Sequence, residues 1–179
     1  MKLVAFLRAI NVGGHTVKMD VLKKHFEGMG FKNVETFIAS GNVIFESTAQ
    51  SIEILEKKIE TVLLKALGYE VTTFIRTLDQ IVTVAKYPAF SPALHKIARA
   101  YNIAFLKSPL SPEGKKQLAQ FKTDIDDFYT HGRELYWLCK AGQSDSKFSN
   151  VRFEKGLKVQ ATFRGISTVQ RMVAKFVAA

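Results

Sequence analysis

The chain repeats itself, and that repetition constrains its fold more than any other feature. "VAFLR" at 4–8 returns as "IAFLK" at 103–107, an offset of 99. "VETFIASGNVIF" at 34–45 returns as "IDDFYTHGRELY" at 125–136, an offset of 91, which sets Phe37 over Phe128 and Gly41 over Gly132. "VTTFIR" at 71–76 returns as "VQATFR" at 159–164, and "VAKY" at 84–87 as "VAKF" at 173–176, with offsets of 88 and 89. Four matches in one order with slowly drifting offsets indicate a duplicated unit. With 179 residues, each half is large enough to bury a core of its own.

Each half carries the same succession of elements. "LVAFL" and "YNIAFL" are continuously apolar, as strands covered on both faces are. "DVLKKHFEGMGF" puts Leu22, Phe26 and Met29 on one helical face, with Gly30 as a left-handed end. Two β-rich runs flank Ser40-Gly41-Asn42, and the second half repeats this hairpin signal around His131-Gly132-Arg133. A helix follows at about 51–67. A Thr77/Gln80 capping box starts another, which Pro88 and Pro92 close before a connector. In the second half Ser111-Pro112 starts a helix, a helix near 149–155 ends at Gly156, and Val169, Met172, Val173 and Phe176 share one face of the last helix. The order is βαββαβα twice. It predicts an α+β protein of two tandem ferredoxin-like units with antiparallel sheets, at 1–87 and 98–179, joined by a linker at 88–97.

In that topology the loop after the first strand and the first hairpin turn share one sheet edge. Arg8 to Lys18 should therefore approach Ser40, Gly41 and Asn42, and Lys107 should approach His131 and Arg133. The fall in offset from 99 to 91 assigns eight extra residues to the first unit, in or beside "NVGGHTVK". A connection that the second copy omits is not required by the topology, and such loops are where function accumulates. Gly13 and Gly14 can turn backbone N–H groups towards an anion. Arg8 and Lys18 can neutralise it, and Asn11 and Asn42 can bond its polar parts. The alternative is a plain turn in which the glycines only permit positive φ.

"LRAINVGGHTVKM", "GFKNVETFIASGNVIF" and "FSNVRFEKGLKVQATFRGISTV" resemble the bacterial domain-of-unknown-function 1697 family over essentially the whole chain. The resemblance implies a cytoplasmic protein of two ferredoxin-like repeats and carries no established activity. Residues at its characteristic positions are Arg8, Asn11, Gly13, Gly14, Lys18, Met19, Ser40, Gly41, Asn42, Arg164 and Thr168. Where the family pattern is similar to Thr-Arg-Asn-Trp-Asn-Thr, this chain reads Phe163-Arg164-Gly165-Ile166-Ser167-Thr168 and lacks the aromatic.

Charge and composition narrow the chemistry. The net charge is +10, with the second half (91–179) at +8 and residues 140–179 at +6, a surface that attracts polyanions. The single cysteine, Cys139, excludes an internal disulfide and reads as a small core residue, consistent with a reducing, cytoplasmic setting. The opening segment lacks a leader pattern, and no apolar stretch approaches membrane length. His15, His25, His95 and His131 match no zinc spacing, and Asp124, Asp126 and Asp127 read as turn residues, so no metal is expected. "VGGHTVK" lacks the spacing of a P-loop.

The leading expectation is a module binding a phosphate-bearing ligand, nucleotide or nucleic acid, through Arg8, Asn11, Gly13, Gly14, Lys18, Ser40, Gly41 and Asn42. Lys107, His131, Arg133, Arg164 and Thr168 are second candidates. The alternatives are an enzyme on a phosphorylated small molecule, with His15 or His131 as acid or base, and a structural or protein-interaction domain. No cofactor is expected.

Overall fold

The structure is a computed structural model that describes residues 1–177. The first half runs β1 (Lys2–Leu7), α1 (Met19–Gly28), β2 (Lys32–Phe37), β3 (Asn42–Glu46), α2 (Ile52–Leu67), β4 (Thr73–Thr77) and α3 (Leu78–Lys86). The second runs α4 (Pro92–Ile97), β5 (Ala100–Leu106), α5 (Pro112–Ala119), β6 (Asp126–His131), β7 (Glu134–Cys139), a 3-10 turn (Gln143–Asp145), α6 (Asn150–Leu157), β8 (Ala161–Gly165) and α7 (Ile166–Phe176). The sheets have the orders β2-β3-β1-β4 and β6-β7-β5-β8, antiparallel throughout. These are two tandem ferredoxin-like units, as the repeats predict.

By its contacts the chain divides into Met1–Ile81, joined by Phe176 and Val177, and Val82–Lys175, so the divisions fall inside α3 and at the end of α7. In the first unit, Leu3, Ala5 and Leu7 of β1 pack with Leu22 and Phe26 of α1 and Leu55, Ile59 and Leu63 of α2. Alternate residues Val4 and Phe6 are also fully buried, which accounts for the unbroken apolar run. In the second unit Ala104, Leu118, Trp137 and Phe153 form the core. The Trp137 indole donates to the buried Asp126 carboxylate at 2.8 Å, which also accepts from the Thr123 and Ser146 hydroxyls. Asp127 pairs with Lys122 and Lys140. Asp126 and Asp127 thus order the start of β6. Cys139 is buried, and desolvation pushes its thiol pKa up.

The duplicated order extends to the outer strands. On β4 the outward N–H groups of Thr73, Ile75 and Thr77 are accepted by Glu60, Glu56 and Gln80 at 2.9, 2.8 and 3.0 Å. On β8 the Ala161 N–H is accepted by Glu154 at 2.9 Å. The Ile75 and Phe163 carbonyls accept from the guanidinium of the following residue, Arg76 and Arg164. The Thr77/Gln80 capping box forms, with each residue serving the other.

Three expectations need correction. The stretch assigned as connector contains α4, because Ser91 caps a helix that begins on Pro92. Helix α6 runs through Gly156 to Leu157 and ends at Lys158, which is left-handed at φ 53°. The glycines of the two hairpins are not equivalent. Leu7 N–H donates to the Gly41 carbonyl, whereas Leu106 N–H donates to that of Arg133. The ladders close at Phe37–Asn42 and at His131–Glu134, so the first turn has four residues and the second two. Leu7 to Phe37 spans 30 residue steps against 25 from Leu106 to His131. The first loop region is therefore longer by five, and the hairpin turn takes up two more of the difference in offset.

Candidate functional site

The loop between β1 and α1 is fixed at its base. Arg8 N–H extends the ladder to the Thr72 carbonyl at 2.9 Å. Asn11 bridges its own loop and the hairpin: its Nδ2 donates to the Ala39 carbonyl at 3.1 Å, and its Oδ1 accepts from Val17 N–H at 2.6 Å. The Tyr69 hydroxyl donates to the Ile10 carbonyl at 2.8 Å, and the His15 ring stacks on Tyr69 at 3.7 Å. Topology places the hairpin here too. Asn42, fully buried, donates from Nδ2 to the Phe37 carbonyl at 2.9 Å and to Ser40 Oγ at 2.8 Å.

The sequence-derived residues thus fall into two sets. Asn11, Ser40 and Asn42 act on the protein itself, holding the loop to the turn, and Gly41 permits the close approach described below. The tip is different. Gly13 and Gly14 take φ of 68° and 86° with open space where a Cβ would stand. Among the described residues, their N–H groups bond no carbonyl or side chain, while the neighbouring His15 N–H is accepted by Val12. Lys18 caps α1 with its backbone, makes no side-chain capping bond and is exposed.

The second candidates do not form one cluster. Lys107 follows Leu106, whose N–H meets Arg133, so those two share an edge. His131 stacks on Tyr87 at 4.0 Å. Arg164 pairs with Ile103, three positions along the ladder from the Leu106–Ala161 pair, and is only 8% exposed. Its Nη1 donates to Thr162 Oγ1 and the Phe163 carbonyl, both at 2.8 Å, and burial lowers its pKa to about 10. Arg76, its counterpart, is 1% exposed. Both serve a strand. Thr168 lies half-buried in the first turn of α7.

Sequence reasoning overlooked a cavity of about 780 Å³ in the second unit, lined by Lys86, Phe90, His95, Arg99 and Tyr101 among others. Its residues come from the end of α3, the connector with α4, the start of β5, the 3-10 turn and the first turns of α7, and no motif spans them. Among the described residues, no group of His, Cys, Asp and Glu can hold a metal ion, and no helix is long and apolar enough to cross a membrane.

Comparison with known proteins bears on family and fold. No curated protein matches the sequence. A conserved bacterial protein, SP0830 from Streptococcus pneumoniae, is similar in structure, with a TM-score of 0.69 at 22% identity over 97% of each chain. That likeness shows a shared fold. The model of a family described as "Protein of unknown function (DUF1697)" matches residues 1–136, which include the whole first sheet and the loop between β1 and α1. The chain belongs to the DUF1697 family.

Proposed function

We propose that the chain is a binding module for a phosphate-bearing ligand, received at the Gly13-Gly14 tip of the loop between β1 and α1. The observation that carries this reading is the contrast within the loop. The donors at its base are engaged on internal acceptors, and the two glycine N–H groups at its tip are not. An anion needs donors that are fixed in place and unspent, because donors already committed must first be released. Lys18 supplies a formal positive charge beside them. The His15 and His131 rings stack on tyrosines, and among the described residues no carboxylate orients either imidazole, so binding is better supported than proton transfer.

The test is titration of the ¹⁵N-labelled chain with inorganic pyrophosphate. The Gly13 and Gly14 amide signals should shift and saturate, and the melting temperature should rise. Lys18→Glu should abolish both effects while leaving the stability of the free protein within about 0.5 kcal/mol. Unmoved glycine signals at millimolar pyrophosphate would remove the loop as a site.

A further inference from the structure

The cavity in the second unit combines charge and ring surface in a way the loop does not. Its volume, about 780 Å³, is that of a small-molecule pocket. Two formal cations line it, Lys86 and Arg99, and no carboxylate does. Among the described residues neither side chain has an ion pair or hydrogen bond, so their charge is not neutralised from within.

The opposite character comes from Phe90, His95 and Tyr101. They meet at 5.1–6.3 Å with interplanar angles of 53–75°, tilted or edge-on. Such contacts do not consume ring faces pairwise as the stacked Tyr87–His131 pair does at 18°. The Tyr101 hydroxyl is neutral at neutral pH and adds no charge to repel an anion. Asn102 and Gln143, joined by one long bond of 3.4 Å, bring amide donors and acceptors to the same wall.

We propose that this cavity is a binding site for a planar aromatic ring bearing an anionic group, the chemistry of a mononucleotide. The rings take the base, Lys86 and Arg99 take the phosphate, and the two amides read polar edges. This site is separate from the loop and does not depend on it.

Calorimetric titration of the full chain with AMP, GMP, CMP and UMP tests the assignment, with adenosine and ribose 5-phosphate as the ring-only and phosphate-only controls. At least one mononucleotide should bind saturably below millimolar concentration, and each control of the AMP pair should bind about tenfold weaker or worse. The double variant Lys86→Glu/Arg99→Glu alters two exposed side chains and should lose about tenfold or more in affinity, while a change at the exposed Lys24, Lys24→Glu, should stay within about twofold. Loss on Lys18→Glu alone would move the binding to the loop and overturn the cavity. So would an unchanged affinity in the double variant, equal binding of ribose 5-phosphate, or no saturable binding by any of the four. Affinity for single-stranded oligonucleotides that grows with length and exceeds that of every mononucleotide would replace the small-molecule site with a strand-binding surface.

Discussion

Gly41 stands so near Ile10 that a Cβ added to it would lie 2.6 Å from the Ile10 Cγ2, and 3.1 Å from Leu7 Cβ. The hairpin turn and the start of the Gly-rich loop are therefore in contact at a glycine, and the fit needs both its φ of 76° and its missing side chain. Gly41→Ala should cost about 1–2 kcal/mol for the left-handed backbone and about 1–3 kcal/mol for the overlap. Gly132, at φ 56°, has only Glu134 Oε2 within reach, at 3.6 Å. Gly132→Ala should carry the backbone cost alone. Urea denaturation of the two variants measures the difference, and equal losses would contradict the packing described.

The tyrosines of the second unit set the alkaline limit. Tyr101 is raised from 10.0 to about 12 by burial, and Tyr136 is raised further by burial and by the charges of Glu134, Tyr101 and Tyr87. A phenol in the unfolded chain releases its proton near 10, before its folded counterpart does. Between those values the unfolded state holds fewer protons, so stability falls as pH rises from about 10 towards 12 and is unaffected below that window. The urea midpoint should decline over that range, and Tyr101→Phe should flatten the decline. An identical decline in the variant would exclude Tyr101 as a source.

If the chain binds polyanions, the basic end from 140 onward should carry the interaction, because it holds a net charge of +6. Lys155, Lys158 and Arg171 are exposed. Replacing all three with Gln should reduce the slope of log K against log salt by about 0.9 for each phosphate of duplex DNA that is no longer neutralised. A slope that does not change would place the binding surface elsewhere.

The repeats made the topology legible because a strand buried on both faces must stay apolar in each copy, as Val4, Phe6, Ile103 and Phe105 do. The adjacency of loop and hairpin followed from strand directions alone, and the Asn11–Ala39 bond spans it. Aligning Gly41 with Gly132 failed because residue identity does not report turn length. Helix α4 was missed although Ser91-Pro92 is the same start signal as Ser111-Pro112, since Pro88 and Pro92 together read as breakers. The roles of Asn11 and Asn42 were not legible either: a side-chain amide serves a backbone carbonyl as readily as a ligand, and only position decides. The cavity residues left no signal, because a wall assembled from several short segments far apart in the chain has no periodicity.

Duplicating a sheet within one chain creates a hazard of mistaken identity, since each strand meets a near copy of its proper neighbour at the high local concentration that a covalent link imposes. An unpaired rim of amides would accept that copy, or one from another molecule. On β4 the outward donors are already answered by Glu60, Glu56 and Gln80, and the Ile75 carbonyl by Arg76. Glu154 and Arg164 repeat part of the arrangement on β8. The polar side chains set along these two strands thus leave fewer open backbone groups on which a look-alike strand could pair in exchange.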